Sequence, residues 1–382
     1  MALPSATQLR SNRSGPRAAS QVLDDLTLVT ATEGFDAVAT AKVAAGALDL
    51  ADEACDLGWL ARWLWDERLG LVFHHEVLPL ASALLQGRAD LALALLDALG
   101  SLELDRACLA ELLQLCAFNP ALREAVGAEV TAFINPWGPS VLAAQRVAAL
   151  GLALGLVTAE PPLTHAPEQL GALAEALTHP ATPAPLPPDE AHDLDLKRIS
   201  TGESTLDALR NAALYEVAQH GVASTTMARI CERARVPHDQ VPKHLRRVGN
   251  LLGEVVDRRW SQVDAARRDF LVEVADRVSR EVAEAVLWRE VFRPEHRRAA
   301  YLAVEVERVA RHDPILARHL DAARARCSAA RTTDPAGSVA PVHPDSILDR
   351  DLTFSSGLQL LAVLTEGLAE LPFDAVTVPL LA

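Results

Sequence analysis

The stretch 159–193 limits the folds open to this chain more than any other feature, because it holds eight of the 23 prolines. Proline fixes φ and has no backbone N–H, so a segment this rich in proline suits neither a helix interior nor a central strand. Such segments are extended and fairly stiff. Since similar hydrophobic patterns lie on both sides, we interpret the stretch as a linker between two units. A flexible loop inside one domain is the alternative.

Each side of this stretch begins with the apolar spacing of an amphipathic helix that ends at a glycine. In the first half, Ser20 precedes apolar residues at helical spacing up to Gly34. In the second half, Ser204 is predicted to cap a helix, with Asp207 in its first turn and Gly221 at its end. The two halves therefore start alike.

Farther along, both halves contain a helix, a break and a second helix. The break is an Asn-Pro pair at 119–120 in the first half and an Asp-Pro pair at 313–314 in the second. Each half then closes with an apolar helix, predicted over 141–157 and 354–371. This parallel order predicts a duplicated helical unit.

The composition favours helices packed on helices. The chain has 382 residues, of which 50% are hydrophobic and only 4% aromatic. Ala and Leu dominate, and long alternating runs of β-branched residues are missing. The length exceeds the usual size of one domain. We therefore predict an all-α protein of two domains.

The net charge of −15 is divided unevenly between the halves. Residues 1–193 have 10 Lys and Arg against 24 Asp and Glu, a balance of −14. Residues 194–382 have 26 against 27, a balance of −1. If either half binds a polyanion, it is the second.

The most specific pattern is a helix-turn-helix in the second half. Residues 224–226 are predicted to cap a short helix with one apolar face, and a turn at 235–237 leads to the last helix. From Arg229 to Arg247 there are six Lys or Arg and two Asp or Glu. Polar and basic side chains on a last helix suit a DNA groove. The predicted DNA-binding residues are Thr225, Thr226, Arg229, His238, Gln240, Lys243, His244, Arg246 and Arg247.

The stretch "LRNAALYEVAQHGVASTTMARICERARV" resembles the amino-terminal DNA-binding domain of the TetR family of transcriptional regulators. The resemblance depends on an Ala-Ala pair, a glycine at the helix end, a Thr-Thr pair, and Ile230 before Ala234 and Val236. The resemblance covers residues 205–252, and the rest of the chain follows only the helical layout. It implies a recognition helix in the major groove, a helical ligand-binding core and dimerisation through the last helices. It also implies release of DNA when a small-molecule effector shifts the linking helix.

Four positions of this segment depart from the family pattern. Arg235 stands where Gly is usual and Pro242 where Tyr is usual. Leu245 replaces Phe, and Val248 replaces a phosphate-contacting Lys. Proline inside a helix costs about 3 kcal/mol, so Pro242 either kinks the recognition helix or stands in its first turn. Asp239 repels phosphate if it points outward.

The first half resembles the family more weakly, through "VLDDLTLVTATEGFDAVATAKVAAGA". Its expected recognition region contains the carboxylates Asp49, Asp52, Glu53 and Asp56. Carboxylates oppose phosphates, because affinity for nucleic acid rests on counterion release by Lys and Arg. We therefore predict that this copy does not bind DNA. The apolar residues that follow, Trp59, Leu60 and Trp63, are interpreted as packing residues.

Two weaker features have alternative interpretations. The basic start of the chain, with Arg10, Arg13 and Arg17, is a solvated tail or an arm that reaches a minor groove. The aromatic and histidine side chains of the second domain either line a ligand pocket or belong to the plain core. These pocket candidates are Trp288, Phe292, Tyr301 and His312.

No catalytic set, metal-ligand spacing or phosphate loop is recognisable, so we predict no enzyme, no metal and no cofactor. The five scattered cysteines and the missing signal sequence indicate a cytoplasmic protein without disulfides. The longest apolar run, 147–157, is too short to span a membrane, so no membrane association is expected.

The predicted fold is therefore all-α, with two TetR-like units that each join a three-helix DNA-binding domain to a helical ligand-binding and dimerisation domain. The predicted segments are a disordered basic arm (1–19), a degenerate helix-turn-helix (20–66), a ligand-binding-like domain (67–179), a proline-rich linker (180–200), a helix-turn-helix (201–252) and a second ligand-binding-like domain (253–382). The units are expected to pair as an intramolecular pseudo-dimer, and a further homodimer is possible. The predicted function is regulation of transcription through double-stranded DNA, under a small-molecule effector. The alternative is a helical ligand- or protein-binding module that has lost DNA binding.

Overall fold

The computed structural model describes residues 19–35, 57–134, 140–158, 167–182, 198–275, 278–332 and 344–381. These ranges form helices joined by short connections, and no strand occurs among them, which confirms the all-α class. The basic arm and the first-half carboxylates that were predicted to oppose phosphate lie outside the described residues.

The described part of the first half begins with α1 (Ala19–Glu33). The following helices are α2 (Leu57–Leu64), α3 (Gly70–Val72), α4 (Leu78–Leu85), α5 (Ala89–Ser101), α6 (Glu103–Leu115), α7 (Pro120–Ile134), α8 (Val141–Thr158) and α9 (Pro167–Thr178). The π-helical turns Trp65–Leu69 and Phe73–Val77 join α2, α3 and α4 into one continuous helical stretch. Helix α9 lies inside the proline-rich stretch, so the expectation of a wholly extended linker is wrong there. Pro167 is the first residue of α9, where its missing N–H removes no helical hydrogen bond.

The second half contains a similar number of helices. They are α10 (Ser204–His220), α11 (Met227–Ala234), α12 (Val248–Ala275), α13 (Arg280–Val291), α14 (Arg297–Ala310), α15 (Pro314–Thr332), α16 (Pro344–Leu364) and α17 (Asp374–Leu381). Single 3-10 turns occur at His238–Gln240, Lys243–Leu245, Pro294–His296 and Leu368–Glu370.

Most helix ends lie where the local sequence predicts them. Helices α1 and α10 end before Gly34 and Gly221, whose φ angles of +83° and +72° turn the chain out of the helix at little steric cost. Helices α7 and α15 begin at Pro120 and Pro314, as the breaks predict. These helix boundaries are confirmed.

The predicted start of α10 is wrong in its detail. Ser204 is the first residue of the helix, and the capping position belongs to Glu203, whose side chain makes no capping bond. The Asp207 carboxylate instead accepts a hydrogen bond from the amide of Thr201 at 2.6 Å and from that of Gly202 at 3.2 Å. A carboxylate inside the first turn therefore ties the preceding loop to the helix.

The two apolar helices α8 and α16 form the most extensive helix pair of the described chain. Helix α16 ends at Leu364, before the position 371 predicted from the sequence, and Gly367, with a φ of +77°, leads into the 3-10 turn Leu368–Glu370. The backbones come into direct contact where Gly357 of α16 lies against Gly151 of α8. The apolar helices of the two halves thus pack against each other within one chain, and each is followed by one more helix, α9 or α17.

The largest hydrophobic core contains residues from both halves. First-half residues such as Leu112 and Val147 share it with Phe354 and Leu358 of α16. A second cluster joins α10, α11 and α12 to α14 and α15, with Leu209 and Ile230 among its fully buried members. The second cluster holds the predicted helix-turn-helix in place.

Helix α8 is the one described helix that is long and apolar enough to cross a membrane, because it extends beyond the predicted apolar run to Val141–Thr158. However, 83% of this span is buried inside the protein. Burial of this kind is typical of the core helix of a soluble protein.

Candidate nucleic-acid interface

The first two helices of the predicted helix-turn-helix form as expected. Thr226 caps α11, and its Oγ1 accepts a hydrogen bond from the amide of Arg229 at 3.3 Å. Ile230 and Cys231 face the core. Arg235 ends α11 in the left-handed region, with a φ of +55°, at the position where the family pattern has glycine. The chain therefore makes the required turn despite the side chain at this position.

The predicted recognition helix is absent as an α-helix, which corrects the sequence-based expectation. Residues 238–245 form two single 3-10 turns separated by Pro242, whose ψ of 138° is extended. Pro242 has no N–H to donate, so a continuous helical ladder through it is impossible. Val241 and Leu245 are 2% and 1% exposed and hold the segment on the core. Helix α12 begins only at Val248.

This segment exposes six of the predicted DNA-binding side chains. They are His238, Gln240, Lys243, His244, Arg246 and Arg247. Lys243, Arg246 and Arg247 make no ion pair with another described residue, so their charges are free to meet phosphates. Asp239 is exposed in the same segment and opposes that attraction. The segment is therefore a short, irregular loop whose exposed side chains have a net positive charge.

The other three predicted contacts have structural roles, and one of them, Thr226, caps α11. Thr225 is 5% exposed, and its hydroxyl donates to the carbonyl of Gly221 at 2.7 Å, which closes the turn before α11. The guanidinium of Arg229 pairs with Glu216 at 3.0 Å and donates to the carbonyl of Ser224 at 2.9 Å. Thr225 is thus unavailable to DNA in this arrangement, and Arg229 is partly neutralised.

Sequence reasoning missed two basic side chains beside this surface. Arg233 pairs with Glu216 and lies 4.0 Å from the ring centroid of Tyr215, which is itself 37% exposed. Arg235 is exposed between α11 and the 3-10 turns. The helical periodicity of α11 places Arg229 and Arg233 one turn apart, and that spacing is a signal from which Arg233 could have been predicted.

The basic segment is tied to α12 by polar contacts. The carbonyl of His244 accepts a hydrogen bond from Asn250 Nδ2 at 2.6 Å, and His244 Nε2 lies 3.7 Å from Glu254. The same Glu254 accepts from Arg210 of α10 at 2.6 Å, and the Arg210 guanidinium is almost wholly buried. A shift of α12 would therefore move the segment with it.

Behind the helix-turn-helix, a buried ion cluster joins the two halves. The amide of Phe35, after Gly34, donates to Glu111 Oε1 at 3.0 Å. The amide of Val222, after Gly221, donates to Glu305 Oε1 at 2.7 Å. Arg308 lies between the two carboxylates and donates to Glu111 at 2.6 Å and to Glu305 at 2.7 Å. All three charged side chains are at most 2% exposed.

The pKa of the Glu111 carboxyl is lowered from 4.5 to about 2. Desolvation by burial acts in the opposite direction and is outweighed, first by the interaction with the His312 ring, whose Nε2 lies 3.4 Å from Glu111 Oε2. The guanidinium groups of Arg308 and Arg311 and the amide of Phe35 further favour the carboxylate.

This lowered pKa predicts a specific acid sensitivity. The folded pKa lies below the unfolded one, so the stabilisation is complete above the unfolded pKa and is lost as the pH falls through the folded pKa. Between about pH 5 and about pH 3, the free energy of unfolding should fall by about 2 kcal/mol more in the wild type than in Glu111→Gln. Urea denaturation of both proteins at the two pH values measures this difference. Equal losses of unfolding free energy in the two proteins would contradict this prediction.

The four pocket candidates pack against different neighbours in the described part of the chain. Trp288 lies against Phe354, with ring centroids 4.4 Å apart. Phe292 stacks on Phe373 at 5.1 Å. The other two side chains contact the first half. Tyr301 accepts a hydrogen bond from Arg123 at 3.0 Å, and His312 lies 3.4 Å from Glu111. These residues pack at junctions between helices.

An open groove of about 660 Å³ lies between α7 and the end of α16. Its walls include Arg123, Gly127 and Thr131 from the first half and Arg297 and Glu366 from the second. None of the four pocket candidates lines it. Within the described ranges, no group of three or more His, Cys, Asp or Glu side chains is arranged to hold a metal ion.

Comparison with known proteins adds no family to these observations. No protein-family model, no curated protein and no solved structure matches this chain. The class that the structure itself establishes is an all-helical protein whose halves share one core.

Proposed function

We propose that this protein regulates transcription by binding double-stranded DNA through its second half. The observation that supports this function best is the exposed basic segment that follows the α10–α11 pair. Lys243, Arg246 and Arg247 project there without an ion partner among the described residues, in a chain with a net charge of −15. An acidic protein that concentrates cations without ion partners beside the α10–α11 pair has the electrostatics of a DNA contact.

We further infer that the chain is a tandem of two TetR-like units that form an intramolecular pseudo-dimer. The positions of equivalent residues support this. Glu111 and Glu305 each stand nine residues before the proline that begins the next helix. Asn119 Oδ1 accepts from the amide of Leu122 at 3.1 Å, and Asp313 Oδ1 accepts from that of Leu316 at 3.2 Å. The same capping bond therefore occurs at the same offset in both halves.

Crossed contacts between the halves also support the pseudo-dimer. A Cβ built on Gly221 would lie 3.2 Å from Phe118, and one built on Gly34 would lie 2.8 Å from His312. Phe118 and His312 each stand two residues before the helix-starting proline. Reciprocal contacts of this kind are what a two-fold arrangement of two similar units produces. Tethering makes such pairing independent of concentration.

In this proposal one half-site contact per chain limits the affinity, since the expected recognition region of the first half is rich in carboxylates. Tight binding therefore needs a second copy of the chain or a partner. A small-molecule effector that displaces α12 would move the basic segment, because Asn250 and Glu254 tie the two together. Cytoplasmic location is part of the same proposal.

The experiment that tests DNA binding is fluorescence anisotropy against duplexes from the protein's own upstream region, at several salt concentrations. Reversing two charges with Arg246→Glu and Arg247→Glu should weaken binding by about 100-fold and flatten the salt dependence. The matched control is Arg88→Glu with Arg318→Glu, which reverses two exposed charges on other elements. Equal loss in both double variants would show only a general charge effect.

The alternative function, a helical ligand- or protein-binding module without DNA contact, is favoured by one observation. The segment expected to enter the groove is two 3-10 turns interrupted by Pro242, and Asp239 is exposed within it. A wild-type protein that binds every duplex weakly and equally in the anisotropy experiment would support this alternative.

A further inference from the structure

The buried cluster has a second cation, Arg311 at 3.8 Å from Glu111, and both of its carboxylates pair with Arg308. The Arg308 guanidinium donates to Glu305 through Nε and Nη2, at 2.7 and 3.0 Å, and to Glu111 through Nη1 at 2.6 Å. Taking a carboxylate out of water costs several kcal/mol unless it is paired and hydrogen-bonded. Glu305 therefore depends on Arg308 for a large part of its compensation, and Glu111 depends on Arg308 together with Arg311.

Each of these carboxylates also binds a backbone amide at a glycine turn. Glu111 accepts from Phe35 in the first half, and Glu305 accepts from Val222 in the second. A buried amide without an acceptor costs about 1–3 kcal/mol, so each carboxylate fixes its turn. The turn at Val222 matters most, because the closing bond between Thr225 and Gly221 and then α11 follow directly.

We infer that Arg308 couples the two glycine turns, so that a displacement of the Gly34–Phe35 turn in the first half changes the stability of the Gly221–Val222 turn in the second. One guanidinium satisfies both carboxylates, and any motion that draws it toward one weakens its bond to the other. Coupling of this kind is reciprocal by thermodynamic necessity. Only the consequence for DNA rests on the proposed function.

Side-chain packing between the halves provides a second physical connection between the two glycine turns. Phe118 of the first half lies over Gly221, and its Cδ2 would be 3.2 Å from an added Cβ. His312 of the second half lies over Gly34 and also approaches Glu111 at 3.4 Å. Each turn is therefore covered by a side chain of the opposite half.

The test is amide hydrogen exchange on the full-length chain, followed at Phe35 and Val222. In Glu305→Gln, exchange at Val222 should accelerate because its own acceptor changes. Exchange at Phe35 should also change by about tenfold, although Phe35 binds Glu111. An acceleration confined to Val222 would overturn the inference. The reciprocal variant, Glu111→Gln, should change exchange at Val222 by a similar factor.

The matched control is Glu307→Gln, on the same helix. Glu307 accepts from Arg324 at 3.0 Å and from Ser356 at 2.8 Å and does not contact Arg308. This control substitution should leave the exchange rates of the Phe35 and Val222 amides unchanged. If Glu305→Gln does not fold, Arg308→Lys provides the second test. The single ammonium of lysine cannot donate from the positions of the Arg308 Nε, Nη1 and Nη2 atoms at once. The amides of Phe35 and Val222 should therefore both exchange faster. Acceleration at only one amide would contradict the coupling.

A DNA measurement separates this inference from the proposed function. If the wild type binds DNA, Glu111→Gln should alter its affinity by about fivefold or more, although Glu111 lies in the first half. If the wild type does not bind DNA, the proposed function fails while the exchange experiment still decides the coupling. An unchanged affinity together with coupled exchange would restrict the coupling to the two turns and overturn its consequence for DNA.

Discussion

Replacing Arg308 by methionine should lower the free energy of unfolding by about 4 kcal/mol, since removing one partner of a buried ion cluster leaves uncompensated charge. Methionine keeps much of the side-chain volume and removes the guanidinium. Glu111 and Glu305, each 1% exposed, would then lie buried without their shared cation. Urea denaturation of the full chain measures the loss.

Two variants distinguish this effect from a loss of packing. Arg324→Met removes a guanidinium that pairs with Glu307 at 3.0 Å and is 26% exposed, so its cost should stay below about 1 kcal/mol. Adding Glu111→Gln and Glu305→Gln to Arg308→Met should recover part of the lost free energy of unfolding. Two neutral amides tolerate burial better than two carboxylates that have lost the Arg308 guanidinium. A loss in Arg308→Met no larger than in Arg324→Met would contradict the structural interpretation.

Gly357→Ala should lower the free energy of unfolding by about 3 kcal/mol or more, because the helices α8 and α16 have no space for a methyl group there. The Cβ would overlap the carbonyl oxygen of Gly151 and lie 2.6 Å from its carbonyl carbon and 2.9 Å from the amide nitrogen of Gly155. All these atoms belong to backbone, so the helices would have to separate. Thermal or urea denaturation measures the change.

The control for this substitution is Gly100→Ala in α5, where nothing lies within 4 Å of the added Cβ. Alanine has the higher helix propensity, so this variant should be neutral or more stable by up to about 1 kcal/mol. Opposite signs in the two variants would identify close backbone approach as the cause. A mild effect at Gly357 would show that the α8–α16 contact adjusts without cost.

Helix ends were largely predictable because their determinants are local. The glycines at 34 and 221, the Thr226 cap and the prolines at 120 and 314 act on neighbouring residues within about one helical turn. Pro242 belongs to the same class. This proline predicted a kink or a late start of the recognition helix, and the structure has two 3-10 turns in place of that helix.

The candidate site was predictable only in part, because exposure and pairing depend on distant elements. The sequence marked Thr225 and Arg229 as DNA contacts, yet the Thr225 hydroxyl closes a turn and Arg229 is held by Glu216. It marked Tyr301 and His312 as pocket residues, yet both contact the first half. Polarity alone does not show which way a side chain faces.

The sequence by itself determined the all-α class and the ends of the helices that it predicted at Gly34, Pro120, Gly221 and Pro314, because these follow from apolar periodicity and from residues a few positions away. Only the tertiary structure decided that α8 packs on α16 and that one arginine serves both glycine turns. Arg308 and Glu111 stand 197 positions apart, and nothing local in either segment specifies that they meet. That pairing arises when the shared core closes and brings both carboxylates to the Arg308 guanidinium, which compensates their burial.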